Sequence, residues 1–371
     1  MVIYAALGIA FLIPLGFLYF IRRGDLYGTG KFHVNLITIA CGFAAYLIAA
    51  QINPAMMNAG WVTREQVVRF SAPIIEELLK AVILIYLVQR ADFNYVVDGA
   101  IYGFGAGIGF AIIENYEYVS GHPAIAISIA ISRVLSTNLI HATGSGIIGT
   151  ALAFRRGENS WMGWLVLLLG YAFSMSFHIG FNTMVSLGTA PLILAIIFGF
   201  IGLGLIYVVI KRGLNVQKNW VGEKLGMGDR VTKSEAIVVR NIEDLSEVLA
   251  PIEKQFGAAK VPIVEGIIRK QAEIGIKRKL LDKTPSESKK REIEEIIANL
   301  GKEMDVLRRE AGSYCMMFVR TVYLEQDIKI WDAINTRIAE QNTGQKGGGL
   351  FDRVNQRMKP RQPEEEEKSN A

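Results

Sequence analysis

The chain has 371 residues, of which 51% are hydrophobic, and its mean hydropathy of +0.29 is higher than soluble domains usually have. Of its 40 basic and 35 acidic side chains, residues 1–210 contain only 10 and 9. This uneven distribution indicates a membrane-embedded first part and a soluble second part. The net charge of +5 comes from both signs mixed along the chain, so we expect no basic stripe and no nucleic-acid partner.

Apolar runs long enough to cross a bilayer, which takes about 20 helical residues, occur seven times. They lie near residues 2–21, 34–53, 66–89, 96–118, 124–153, 161–186 and 189–210. We therefore predict an all-α, polytopic protein of the cell membrane, with seven transmembrane helices in residues 1–212. The first run is expected to stay as an anchor, because no basic residue precedes it and Arg22 and Arg23 follow it directly.

Basic residues in the short loops predict the orientation, since Lys and Arg are retained on the cytoplasmic side. The loops after spans one, three, five and seven all carry Lys or Arg. On the opposite side only Arg64, near the start of span three, is basic. The N-terminus is therefore predicted to lie outside and the C-terminal region inside.

The polar C-terminal part is predicted to form a mainly α-helical cytoplasmic domain over residues 213–345, followed by a disordered charged tail at residues 346–371. Thr284-Pro285-Ser286-Glu287 has the pattern of a capping box. The apolar helix face that follows needs a partner, either residues 263–281 or a second subunit. With fewer than four clean heptads, an intramolecular hairpin is favoured over a homo-oligomeric coiled coil.

Ionisable and amide side chains inside the spans require an explanation, because each ionised one costs at least about 2.5 to 3.5 kcal/mol on insertion scales. They are Glu76, Glu77 and Lys80 in span three, Glu114 and Asn115 in span four, Arg133, Asn138 and His141 in span five, and His178 and Asn182 in span six.

Helix geometry brings some of these side chains to one face. Glu76 and Lys80 are four residues apart, and so are His178 and Asn182. One carboxylate of the pair Glu76 and Glu77 can then pair with Lys80, while the other stays free to react. Lys80 is thus predicted to tune the glutamate pair.

Two chemistries fit this set of residues. Glu114, His141 and His178 could hold Zn²⁺ or another divalent metal. Alternatively, the glutamates could polarise a water without any metal, with His178 and Asn182 stabilising the oxyanion. Arg133 is a candidate counter-ion for Glu114 or Glu117.

The motifs Glu-Glu-x-x-Lys, Phe-x-x-x-Glu and His-x-x-x-Asn on successive spans resemble those of the PrsW family of intramembrane proteases, which forms one superfamily with the CAAX prenyl proteases. The resemblance covers about residues 60–190. It implies that Glu76 and Glu77 supply the catalytic base and that Glu114, His178 and Asn182 complete the site. Glu114 stands where the prenyl proteases have His, which puts a fully metal-ligated site in doubt.

A more distant similarity links the chain to the scaffold subunit of gamma-secretase, which has seven spans and two intramembrane histidines at positions like those of His141 and His178. That subunit is not catalytic. A second function also stays open, a non-catalytic seven-span scaffold or receptor in which the same polar residues lock the helices together and the cytoplasmic domain binds partners.

The predicted function is an intramembrane endopeptidase that cleaves single-span, membrane-anchored proteins such as anti-sigma factors. A proton- or ion-coupled transporter is the third alternative, but the sequence has neither an inverted repeat nor paired broken helices.

Glycines are frequent in spans four and five. A nucleotide-binding loop is disfavoured because no strand precedes them, so they predict close packing of these two helices. They are Gly103, Gly105, Gly107 and Gly109 in span four and Gly144, Gly146 and Gly149 in span five.

Overall fold

A computed structural model describes residues 1–158, 160–186, 192–225, 231, 233–240 and 245–324. All regular structure in these residues is helical. The first helices are α1 (Val2–Arg23), α2 (Phe32–Asn58), α3 (Arg64–Gln66), α4 (Ala72–Val88), α5 (Val96–Gly121), α6 (Ala126–Leu135), α7 (Thr137–Gly157) and α8 (Trp161–Ser186). They are followed by α9 (Leu192–Lys224), α10 (Lys233–Arg240), α11 (Leu245–Phe256), α12 (Val261–Lys283), α13 (Glu287–Ala311) and α14 (Ser313–Leu324). The predicted tail at residues 346–371 lies outside the described residues.

Six helical segments of the described chain are long and apolar enough to cross a membrane, as expected of a multi-pass membrane protein. They are Val2–Arg23, Phe32–Asn58, Val96–Gly121, Pro123–Gly157, Trp161–Ser186 and Leu192–Lys224. The predicted third span is not among them. Its residues form α3, a π-helical turn at Val67–Ser71 and the 17-residue helix α4.

Two predicted spans have other bounds in the structure than the sequence predicted. The fifth is two helices, because the backbone of Ser136 leaves the helical region (φ −126°, ψ −89°) between α6 and α7. The Ser136 hydroxyl donates to the Ser132 carbonyl at 2.6 Å and so satisfies an oxygen at the end of α6. The seventh continues as one helix to Lys224, through the predicted boundary between residues 212 and 213.

Helix α5 lies at the centre of the membrane half and is buried along most of its length. The glycine prediction is confirmed, with one face against α7 and the other against α2. A Cβ atom at Gly107 would overlap the carbonyl oxygen of His141 on α7, and one at Gly109 would overlap that of Ile39 on α2. Only glycine permits such close contact at these two positions. The contact at Gly107 places the backbone of α5 directly against His141.

The C-terminal helices contain the expected hairpin within one chain, where α12 packs against α13. The capping box is wrong. Ser286 is extended (φ −85°, ψ 121°) and is the N-cap, so α13 begins at Glu287. Thr284 instead ends α12, and its hydroxyl donates to the Leu280 carbonyl at 2.7 Å. The cause is Pro285, which disfavours a helical backbone in the residue before it.

Helix α12 also joins the C-terminal helices to the membrane half. It packs against α9 and contributes to the same hydrophobic core as α4, α5 and α7. The buried Lys277 donates to the carbonyl of Ala91 at 2.7 Å, and Arg269 donates to the carbonyl of Leu26 at 2.7 Å. Leu26 lies between α1 and α2, and Ala91 lies between α4 and α5.

Candidate functional site

Ionisable side chains from four helices meet in one cluster inside the membrane half. Glu77 and Lys80 of α4, His141 of α7 and His178 of α8 are all buried. Glu76 of α4 and Glu114 of α5 complete the cluster, and their side chains are 13% and 17% exposed. These two carboxylates therefore form the open side of the cluster.

Lys80 selects one of the two adjacent glutamates. Its Nζ lies 2.6 Å from Oε1 of Glu77, three residues earlier, and both side chains are fully buried. The described residues give Glu76 no Lys or Arg within ion-pair distance. Among the described residues, Glu77 is therefore ion-paired with Lys80, whereas Glu76 has no Lys or Arg partner.

Two serine hydroxyls that the sequence analysis did not single out also contact Glu77. Ser174 donates to Oε2 at 3.2 Å and Ser145 approaches the same oxygen at 3.5 Å. Helical spacing could have found both, because Ser145 follows His141 by four residues and Ser174 precedes His178 by four.

The tautomer of His178 follows from its neighbours. Its Nδ1 lies 3.2 Å from Oε1 of Glu77, and an ionised carboxylate can only accept, so Nδ1 carries the hydrogen. This leaves the lone pair of Nε2, which lies 3.9 Å from Oε2 of Glu76. Glu77 thus orients the imidazole, and the gap between Nε2 and Glu76 is left for a reacting group.

His141 also belongs to the cluster. Its Nε2 lies 2.8 Å from Oε2 of Glu114, and its Nδ1 lies 3.0 Å from Nζ of Lys80. The ring packs edge-on against His178, with centroids 4.7 Å apart. Because α7 begins only at Thr137, His141 lies in its first turns.

Arg133 is the counter-ion of Glu114. Its Nη2 lies 2.8 Å from Oε2 of Glu114, and its Nε donates to the amide oxygen of Asn115 at 2.9 Å. The guanidinium also stacks over the ring of Tyr118 at 3.8 Å from the centroid. Glu114 is therefore fixed between a guanidinium and an imidazole.

Asn182 lies away from these contacts. Its Nδ2 donates to the carbonyl oxygen of Val68 at 2.9 Å, in the π-helical turn before α4. In that turn the amide of Ala72 bonds to the carbonyl of Val67, and the next amide position is Pro73, which has no N–H. Asn182 therefore satisfies a carbonyl that the helix itself cannot.

A group with metal-binding geometry is present among the described residues. Glu76, His141 and His178 each offer one ligand atom, and these atoms lie within 4.8 Å of one another. The predicted ligand set had Glu114 in place of Glu76. Glu114 is instead engaged by Arg133 and His141, as described above.

The comparisons with known proteins concern the part of the chain that contains this cluster. Residues 31–211 match the family model described as "PrsW family intramembrane metalloprotease". The chain is also similar to "Protease PrsW" of Bacillus subtilis (strain 168), with 25% identity over 166 residues, or 44% of this chain and 60% of that relative. The chain thus spans less than two thirds of the relative's length. No solved structure matches the chain.

Both matches support the PrsW family and a protease, and with the apolar helices they identify a multi-pass protein of the cell membrane. They name neither the CAAX prenyl proteases nor gamma-secretase, so those two similarities rest on the motifs alone.

Proposed function

We propose that the chain is a PrsW-type intramembrane endopeptidase that cleaves membrane-anchored proteins, with single-span proteins of the anti-sigma-factor kind as the expected substrates. The observation that carries the proposal is the pair formed by Glu76 and His178. The carboxylate of Glu76, to which the described residues give no Lys or Arg partner, faces the lone pair of an oriented imidazole across 3.9 Å, at the open side of a buried cluster. Hydrolysis of a peptide bond needs such a base beside the position of a water.

In this proposal Glu76 is the general base. It takes a proton from a water whose oxygen attacks the carbonyl carbon of the substrate, and returns the proton to the amine when the C–N bond breaks. His178 holds the water through Nε2, and Glu77 keeps that ring in position. Lys80 keeps Glu77 ionised, so the two adjacent glutamates have different roles.

A divalent metal matches this cluster by the spacing of its donors. Glu76, His141 and His178 would hold it, and when bound it would supply Lewis acidity to the water and the scissile carbonyl. Whether each donor atom has a lone pair free for the metal depends on the contact between Lys80 and His141.

The proposal includes the topology. Residues 66–89 would cross the membrane as the third of seven spans, entered through the π-helical turn, with the N-terminus outside and residues 213–345 in the cytoplasm. The lipid bilayer and a membrane protein substrate are the proposed partners. Oligomerisation through the cytoplasmic helices is a further expectation.

The test is cleavage of a panel of single-span proteins by the purified chain in detergent. Glu76→Gln should lower the rate by about 100-fold or more, since it removes the base. Glu117→Gln is the matched control, because Glu117 is a carboxylate on α5 that accepts a hydrogen bond from Tyr46 outside the cluster. Wild-type rates in Glu76→Gln would remove this residue from the mechanism. Failure of the folded wild type to cleave any substrate would favour the scaffold alternative.

A further inference from the structure

Lys80 is enclosed by three partners and is only 1% exposed. Its Nζ lies 2.6 Å from the carboxylate of Glu77, 3.0 Å from Nδ1 of His141 and 4.7 Å from the ring centroid of Phe110. A carboxylate oxygen, an imidazole nitrogen and the face of an aromatic ring all attract positive charge. The ammonium therefore occupies a position that is built for a cation.

This position has a consequence for His141. An ammonium has three N–H donors and no lone pair, so Nδ1 of His141 must be the acceptor. Its Nε2 then carries the hydrogen and donates to Glu114 at 2.8 Å. Metal binding requires a lone pair on a ring nitrogen, and both nitrogens of His141 are already in use.

His178 differs from His141 in this respect. Its Nδ1 donates to Glu77, and its Nε2 lone pair points to the open side near Glu76. While Lys80 stays in place, the cluster thus offers two free donors, Glu76 and His178. Catalytic zinc sites usually have three protein ligands.

We propose that the Lys80 ammonium is the resident cation of this centre, and that a divalent metal can recruit His141 only by displacing Lys80 from Nδ1. The competition between the two cations sets the metal affinity of the centre. The inference deepens the proposed function, since it assigns Lys80 a role in choosing between metal and glutamate chemistry, but its test uses metal binding and not cleavage.

The experiment titrates the full-length protein in detergent with Zn²⁺ by equilibrium dialysis, and with Co²⁺ by its visible absorbance. Lys80→Met keeps the length of the side chain and removes the charge, so it frees Nδ1 of His141. We expect the metal affinity to rise by about tenfold or more, because changes in the side chains that contact a metal ligand typically alter the affinity by about 10- to 100-fold. Lys277→Met is the matched control, since Lys277 is equally buried but lies on α12, and it should leave the affinity unchanged.

The gain must depend on His141. In the double variant Lys80→Met with His141→Ala, the affinity should return to about the wild-type value. An affinity in Lys80→Met that equals or falls below that of the wild type would overturn the proposal, and so would a gain that survives without His141.

A second pair of variants tests the proposal even if Lys80→Met does not fold. In the wild-type background, His178→Ala should lower the Zn²⁺ affinity by about tenfold or more, whereas His141→Ala should change it by less than about twofold. Equal losses in the two variants would mean that His141 is a ligand while Lys80 is present, which contradicts the proposal. An absence of cleavage would bear only on the peptidase function and not on these affinities.

Discussion

At the scale of single residues, Asn182 has a positioning contact where the family resemblance implied a contact with the reaction centre. Its bond to Val68 joins the end of α8 to the π-helical turn that precedes α4. Pro73 explains why that carbonyl needs an outside donor. The glutamate pair begins only three residues after this proline, so the contact holds the start of the helix that carries the proposed base.

We therefore predict that Asn182→Ala lowers the stability of the protein by about 1 kcal/mol, which is typical of one lost hydrogen bond. Asn182→Asp should lower it at least as much, because a carboxylate cannot donate to Val68. Thermal unfolding in detergent measures both. If instead the side chain stabilises an oxyanion, both variants would unfold like the wild type and only the cleavage rate would fall.

Most residues of the cluster could be predicted from the sequence, but the side chains that each of them contacts could not. Glu76, Glu77, Lys80, His141 and His178 could be found because ionisable side chains inside a span are costly. Periodicity allows Lys80 to reach a glutamate three or four residues earlier, so it could not distinguish Glu77 from Glu76. That choice depends on where α7 and α8 present their histidines and serines, which is a tertiary property.

At the scale of helices, the close approach of α5 and α7 determines the distance between Glu114 and His141. Gly107 faces the carbonyl of His141 itself, so any side chain there pushes the two helices apart at the site. The glycine pattern predicted this packing. It could not predict that α5 is packed on two faces, because the identity of the second neighbour, α2, is set by the whole bundle.

We predict that Gly107→Ala destabilises the protein by about 1 to 3 kcal/mol, the usual cost of overpacking, and weakens the bond between His141 and Glu114. Gly204→Ala on α9 is the control, since a Cβ atom there meets no atom of the described residues within 4 Å. Thermal unfolding of both variants in the same detergent makes the comparison. Equal midpoints for Gly107→Ala and Gly204→Ala would contradict the packing argument.

Helix ends were the least predictable part of the fold. Ser136 interrupts the predicted fifth span without a proline or a glycine at that position. The π-helical turn at Val67–Ser71 is compatible with Pro73, but proline is also favoured in the first turn of a regular helix, so it does not predict a π-helical turn. In both cases contacts with neighbouring helices determine the backbone conformation, and the amino-acid composition does not reveal these contacts.

At the scale of the whole molecule, the C-terminal helices are docked on the membrane half. Lys277 is the deepest of these contacts and donates to a carbonyl 186 positions earlier in the chain. No sequence pattern marks a lysine of an amphipathic helix for such a role. In the sequence it is one of many charged residues, and only the packing of α12 on the loop before α5 gives it a buried partner.

Burial lowers the pKa of Lys277 from its usual value near 10.5 to about 8, because the ammonium loses its water. Several surrounding charges also contribute to this value of about 8. Glu273, Asp98 and Asp92 favour the charged form, and Arg156 opposes it. The unfolded chain therefore holds more protons than the folded chain between about pH 8 and 10.5, and stability attributable to Lys277 rises with pH across that window.

We predict that the thermal midpoint of the wild type rises relative to that of Lys277→Met as the pH increases from 8 to 10.5, by an amount that corresponds to at most about 3 kcal/mol. Below pH 8 the lysine is charged in both states, so the difference between the two proteins should be constant. Lys279→Met is the control, because Lys279 lies on the same helix but pairs with Glu223 at the surface; its profile should run parallel to that of the wild type. Parallel profiles for Lys277→Met as well would mean that α12 does not bury this ammonium against the membrane half in solution.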